Sequence, residues 1–452
     1  MIQQTRYDTT NPDMDNEERM QAHEKKKKII KRLVVKKTGE KKVVARRSKT
    51  EPEPGPAPPT TPEASRESTQ AFVHQTMLTC IGNKRALVDE IWKIADGVRK
   101  KLGKDKLVVM DGFSGSSVVG RKLSSLASKV YANDMEKYAY MCGVCSLRTP
   151  SPDQRAIIEH HIKEMNQLAV TGPYVEGFVT KHYAPRDTEN IQKGERCFYT
   201  RENALIIDTL RDYVARHVPL ILQTYCLVPL ITKASIHANT SGVFKGFHSE
   251  NGVGKWGGAA ARCLPRIKGR IELEEPVWSP TEFDAEVFQG DVNVVIKDKI
   301  GDDELDLLYL DPPYNQHPYG SNYFMLNLIG DLIDEPDPEK MSRVSGIMND
   351  WTRSNYNYRD KAIKDMTELL KVGLHKSRYV LISYNDEGLI EDAEWTRIFA
   401  ECGCTVALHE IKYNAYRGSR NLAGRSDKVM ERMYLCSRGT PPPACPPPSA
   451  KK

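Results

Sequence analysis

Short apolar runs alternate with turns and amphipathic helices in two stretches of this chain, and the stretch between them breaks the pattern. The first runs from about 71 to 150. In it, Leu107–Met110 is an uninterrupted apolar run, and Lys129–Ala132, apolar after its lysine, reads as a second strand ending in Asn133-Asp134. The other extends from about 281 to 438. It carries Val287–Phe288, the run Leu305–Leu310, a helical pattern near Tyr358–Leu370, the run Tyr379–Ser383 and a last run near Met433–Cys436. Apolar runs of this length bounded by turns predict buried strands. Strands alternating with helices predict an α/β fold around a parallel sheet. Residues 151–280 read instead as helices (Asp153–Leu168, Glu202–His217, Leu220–Lys233) followed by a Gly-rich polar loop region, and predict an inserted, mainly helical domain.

The ends differ in kind. Residues 1–70 hold a basic run followed by a Pro-rich acidic-polar segment, and 439–452 form a second Pro-rich piece; neither composition can build a core. The chain has 452 residues and a net charge of +6, but Glu24–Lys49 alone contributes +11, leaving the remainder at −5. Attraction to nucleic acid must therefore be local. Within the middle region, Lys233–Arg270 has seven Lys and Arg against one acidic residue, Glu250. No apolar run has the eighteen or so residues of a membrane span, so no membrane partner is expected. The absence of a secretory signal pattern predicts an intracellular setting, with DNA in cytoplasm, nucleoid, nucleus or viral factory. Ten scattered cysteines suit a reducing compartment. Cys142 and Cys145 form the one C-x-x-C, with no second pair or His cluster to complete a zinc site, so they predict two half-buried helical thiols and no metal.

Three motifs carry chemistry. Asp311-Pro312-Pro313-Tyr314 follows Leu305–Leu310 directly, where open α/β sheets bind ligands. An aromatic exocyclic amine is a poor nucleophile because its lone pair is delocalised. The Asp311 carboxylate and the Pro312 carbonyl can accept its two N–H bonds and draw the nitrogen towards tetrahedral geometry. Paired prolines stiffen that corner, and Tyr314 offers a face for stacking. After Leu107–Met110 comes Asp111-Gly112-Phe113-Ser114-Gly115-Ser116-Ser117, whose small residues admit a nucleoside. Asp134, at the end of the next run, stands where a ribose hydroxyl pair is held. Gly82-Asn83-Lys84 precedes a helix over Ala86–Ala95. Lys84 is suited to neutralising the carboxylate of a methionine moiety at that helix's start, although such a lysine is more often solvated.

The order of these motifs, with Phe198-Tyr199-Thr200, Ala238-Asn239-Thr240 and Ser383-Tyr384-Asn385-Asp386 between and after them, resembles the alpha group of N6-adenine DNA methyltransferases, the Dam-like enzymes, many of them from restriction-modification systems. The resemblance covers roughly 72–438. It implies a Rossmann-like S-adenosylmethionine-dependent core interrupted at 151–280 by a target-recognition domain. It implies catalysis by Asp311, Pro312, Pro313 and Tyr314. Gly82, Lys84, Asp111, Phe113, Gly115, Asp134, Asp291 and Asp311 would hold the cofactor. Tyr319, Asn322 and Tyr323 would flank an everted adenine. The implied partner is double-stranded DNA, alongside a cognate restriction endonuclease in many members, with the enzyme a monomer or weak dimer. Candidate DNA contacts are Lys245, Lys255, Arg262, Arg266 and Arg270, with Arg417 and Arg420 in a late loop. The chain departs from the family pattern at Ser117, where a glycine is usual, and a looser cofactor fit is expected there. Cytosine N4, RNA adenine or protein glutamine would present a similar planar nitrogen, and a catalytically weak DNA-binding relative is the alternative outside enzymes.

Overall fold

Strands of a parallel sheet are buried on both faces and must be apolar throughout. Leu305–Leu310 is buried at every position and apolar at all but Asp306, which pairs with Lys104 at 2.7 Å, and in the computed structural model it is the central strand. The structure describes residues 69–439 apart from 76, 79–81, 259–262, 333–335 and 415–427; the basic and Pro-rich tails read from the sequence lie almost wholly outside this range. Among the described residues the main strands are β1 (Leu107–Asp111), β2 (Ala127–Asp134), β3 (Asp284–Gln289), β4 (Leu305–Leu310), β5 (Ser377–Asn385), β6 (Cys404–Asn414) and β7 (Lys428–Arg438). They form one sheet in the order β3-β2-β1-β4-β5-β7-β6. The first five pair in parallel, and β7 lies antiparallel to both β5 and β6. Strand order reverses between β1 and β4, so a crevice opens at their carboxyl ends.

Alternation along the strands divides the core into two. Leu307 and Tyr309 of β4 face one cluster, with α1 (Val88–Lys101), α2 (Val118–Leu123) and α3 (Lys137–Leu147). Leu308 and Leu310 face the other. The middle region supplies α4 (Pro152–Thr171), α5 (Arg201–His217) and α6 (Gln223–Ile236). Ser151 opens α4 with a capping box closed by Gln154, and Thr200 caps α5 by accepting from Asn203 N. The buried face of α4 is Ile158, Ile162, Met165 and Ala169, a helical spacing of four, three and four. These helices join the first cluster, so residues 151–280 share the core of the sheet that they interrupt. Below the opposite face lie α7 (Val292–Lys299) and, after α8 (Phe324–Gly330), α9 (Arg359–Lys376) and α10 (Asp392–Cys402).

Three readings change. The Cys142 and Cys145 thiols, expected to be half-buried, are fully enclosed, because α6 packs over the side of α3 that faces away from the sheet. The expected helix over Leu220–Lys233 is a 3-10 turn at Leu220–Leu222 followed by α6. Neither α10 nor β6 was legible in the pattern. The β6 strand forms the sheet edge, where charged and exposed positions such as His409 and Glu410 mask the alternation.

Ser117 occupies the left-handed region at φ 58°, immediately before α2. Its side chain is buried, faces Gly143, and its hydroxyl lacks a hydrogen bond among the described residues. An L-residue costs about 1–2 kcal/mol in that conformation. Glycine returns roughly half of that gain through its freer unfolded chain. Ser117→Gly is therefore expected to stabilise the protein by about 0.5–1 kcal/mol in urea denaturation; an unchanged or lower midpoint would show that the serine packing outweighs the strain.

Candidate active site

The crevice at the β1–β4 switch is held open by backbone bonds between consecutive strand ends. Gly112 N donates to Tyr309 O at 2.9 Å, Ser114 N to Asn133 O at 2.9 Å, and Gly290 N to Asp134 O at 3.0 Å. Asn133 Nδ2 crosses the same gap to Gly112 O and Gly290 O. Four turns, after β1, β2, β3 and β4, are thereby fixed around one cavity.

Several residues singled out in the sequence line this cavity. Gly82, Lys84, Asp111, Phe113 and Gly115 stand on one side of it, and Asp134, Asp291 and Asp311 on others. Gly115 has φ 49°, and a Cβ there would project into open space. Its N–H donates to Asp134 Oδ2 at 2.8 Å, while Asp134 Oδ1 accepts from Glu136 N at 2.9 Å. A carboxylate has about four acceptor sites, which leaves capacity for two hydroxyls. Ser114 Oγ lines the cavity, is buried and has no hydrogen bond among the described residues. Phe113 meets Tyr356 edge to face at 5.2 Å. Asp291 accepts from Asn293 N at the start of α7. This lining suits a nucleoside bearing an amino-acid tail, with acceptors for the ribose and a free hydroxyl and close backbone beside the tail. Ser117 is outside the lining, so the substitution strains the turn and leaves the cavity wall intact.

Asp311 follows directly on the end of β4 and lines the cavity. Its Oδ1 lies 2.8 Å from Lys84 Nζ, and the same ammonium is 3.3 Å from Glu431 Oε1 on β7. Lys84 is only 4 % exposed, so the solvated reading gives way to a buried cation between two carboxylates. Burial lowers its pKa, but Asp311 and Glu431 overcome this and hold it well above the usual lysine value. Burial pushes Asp311 up to about 6, Lys84 drawing it down and Glu431 adding to the rise. Asp111 is pushed up to about 8 by burial and then by Asp311's charge, so at neutral pH it is largely the uncharged acid.

Tyr314 is packed from three sides. Lys84 Nζ is 5.5 Å from its ring centroid, Tyr384 contacts it edge to face at 6.2 Å, and its hydroxyl faces Gly82. Pro312 is buried and Pro313 lines the cavity. Of the loop after this corner, Tyr319 reaches the cavity, with Tyr323 stacked behind it at 5.9 Å. Asn322 is buried, and its carbonyl accepts from Phe244 N at 2.7 Å. That bond ties the basic loop region of the middle segment to the corner and sets exposed Lys245 beside it. Lys255 pairs with Glu250 at 3.0 Å. The Arg266 guanidinium is tied to the Ile236 and Ala238 carbonyls, and that of Arg270 to the Ala169 and Val170 carbonyls and the Tyr174 hydroxyl. Both clamp the loop to the helices. Arg262, Arg417 and Arg420 lie outside the described residues.

Sequence reading missed Glu431, Glu136, Tyr309 and the segment Thr352–Asn357, all but Glu431 in the cavity wall. Burial raises Glu136 to about 7, and Asn327 Nδ2 donates to it at 2.7 Å. Glu431 carried one usable signal, the single acid in the last strand, two residues before its apolar run Met433–Cys436.

The profile of the D12 class of N6 adenine-specific DNA methyltransferases matches residues 81–374. Among curated proteins, the Type II methyltransferase M.NlaIII of Neisseria lactamica is 26 % identical over 341 residues, covering 73 % of this chain and 91 % of its own. The Type II methyltransferase M.CviAII of Paramecium bursaria Chlorella virus 1 is 25 % identical over 342 residues, 74 % of this chain and 91 % of its own. Modification methylase StsI of Streptococcus sanguinis is 25 % identical over 372 residues, 79 % of this chain and 51 % of its own.

The charge cluster makes a direct prediction. The carbon-13 carboxyl resonance of Asp311, assigned by its loss in Asp311→Asn, should titrate with a midpoint near 6. Lys84→Met should raise that midpoint, because the cation that favours the ionised form is gone. An ordinary carboxylate midpoint near 4 would place Asp311 in water rather than in this corner.

Proposed function

The chain belongs to the D12 class of N6 adenine-specific DNA methyltransferases, and from that premise we propose that it methylates the N6 amine of an adenine everted from duplex DNA, within a site-specific modification system. The observation that carries this reading is the Asp311 carboxylate, held at the end of the central strand in the wall of a nucleoside-sized crevice. Members of the class take their methyl group from S-adenosylmethionine. Asp134 would hold its ribose, Asp291 and Phe113 would border its adenine, and Ser114 with the Gly115 turn would receive its tail. Bound there, it supplies an electrophilic methyl carried on sulfonium.

The chain's own residues act on the acceptor. At neutral pH Asp311 is mostly ionised and accepts one N–H of the amine, the Pro312 carbonyl accepts the second, and nitrogen regains its lone pair. Tyr314, braced by Tyr384 and Lys84, stacks on the purine, with Tyr319 on the route in. Nitrogen itself is the nucleophile, so no covalent enzyme intermediate is required. The curated relatives named Type II methyltransferases and a modification methylase support the modification role. DNA lies along the face where Lys245 and the Phe244–Asn322 bond join the middle region to the corner, the middle region reading the site sequence.

Asp311→Ala should lose at least about 10³-fold in turnover while duplex DNA binding stays within about threefold of the parent. Retained turnover would remove Asp311 from the chemistry. Lys245→Ala should weaken DNA binding equally for all sequences and reduce the salt-dependence slope by about 1; a sequence-selective loss would instead make it a base contact.

A further inference from the structure

The ammonium of Lys84 has two carboxylates within reach, and only one of them belongs to the corner that grips the amine. Glu431 is fully buried on β7, registered opposite Asn385 of β5, and its Oε1 accepts from Ser383 Oγ. Ser383 is itself buried on β5, so two neighbouring strands hold Glu431 in place. The Lys84 contact to Glu431 is only slightly longer than that to Asp311, 3.3 Å against 2.8 Å. A cation that belonged to Asp311 alone would need no second carboxylate in a dry interior, where each added charge is expensive to desolvate.

We propose that Glu431 is a positioning residue that shares the Lys84 counter-ion, leaving Asp311 as a stronger hydrogen-bond acceptor than a one-to-one ion pair would allow. This role rests on the reading of Asp311 as the group that grips the adenine amine. An Asp311 fully neutralised by its own ammonium would draw less density from the amine hydrogens, and the nitrogen would stay conjugated. With Glu431 present, two carboxylates divide one cation, and Asp311 keeps part of its charge for the substrate. The titratable and charged groups that face this cluster are Tyr309 of β4, Tyr314, and Asp111 at the end of β1. Burial pushes Asp111 up to about 8, so near pH 7 it adds little charge beside Lys84, Asp311 and Glu431.

The sign of the test follows from the charges. Glu431→Gln keeps the shape and removes the competing negative charge, so the whole ammonium falls to Asp311 and its carboxyl ionises more readily. The full-length protein is assayed for methyl transfer from labelled S-adenosylmethionine to duplex DNA across pH 5 to 8, with melting temperature measured alongside. Glu431→Gln should lower the plateau rate by about tenfold or more and move the acid limb down by about half a unit to one unit. Glu431→Asp, which draws the charge back by one methylene, should shift the limb the same way by less, and it carries the test if the glutamine variant does not fold. An acid limb that is unmoved or shifted upward, or a plateau within about threefold of the parent, would overturn the role. A lowered melting temperature with an unmoved limb would make Glu431 purely structural and overturn it equally. A parent protein inactive on DNA adenine would refute the proposed function, and this role with it. An active parent with unshifted variants would refute only the role of Glu431.

Discussion

A buried ammonium shared by two carboxylates is the interaction around which the rest of the molecule is arranged. Lys84, Asp311 and Glu431 come from three separate places, the segment before the first helix, the end of the central strand and the last strand. Such a cluster adds little to stability, since apolar side chains of similar volume commonly do as well or better. Its persistence in a dry corner is better explained by chemistry. On the proposed function, it would keep one carboxylate charged, oriented and short of full neutralisation where the adenine amine is gripped.

The sheet makes that placement. Reversal of strand order between β1 and β4 leaves a crevice, and the backbone bonds among the strand-end turns lock its walls. The lining includes small residues and the acceptors of Asp134, together with Asp311, Pro313 and Tyr319. The middle region is pinned beside Tyr319 through the Phe244–Asn322 bond. Its arginines Arg266 and Arg270 are clamps within that region. The geometry therefore couples the loop of Lys245 to the segment that follows Asp311.

Much of this was legible in the residues. The run Leu305–Leu310, apolar but for Asp306, reads as a strand covered on both sides, and the corner at Asp311 follows from where that strand ends. The motif residues from Gly82 to Asp311 read as cofactor-holding do line a single cavity. What sequence could not provide was pairing between distant segments. Nothing local links Lys84 to Asp311 and Glu431, because an ion pair over such separations is decided by strand order. The 11-residue edge strand β6 was hidden because its position lets it carry charges, whereas only the apolar part of β7, Met433–Cys436, was legible and its buried Glu431 was not. Ser117 showed the reverse error. Its departure from glycine was legible, but its consequence falls on backbone strain rather than on the cavity.

The central claim is that this corner acts on the amino group of adenine in DNA. The most direct measurement is mass spectrometry of nucleosides released from duplex DNA after incubation with the protein and trideuteromethyl-labelled S-adenosylmethionine. The account predicts labelled N6-methyldeoxyadenosine and no labelled N4-methyldeoxycytidine. Label found on cytosine alone, or only on RNA or protein offered in parallel, would contradict it.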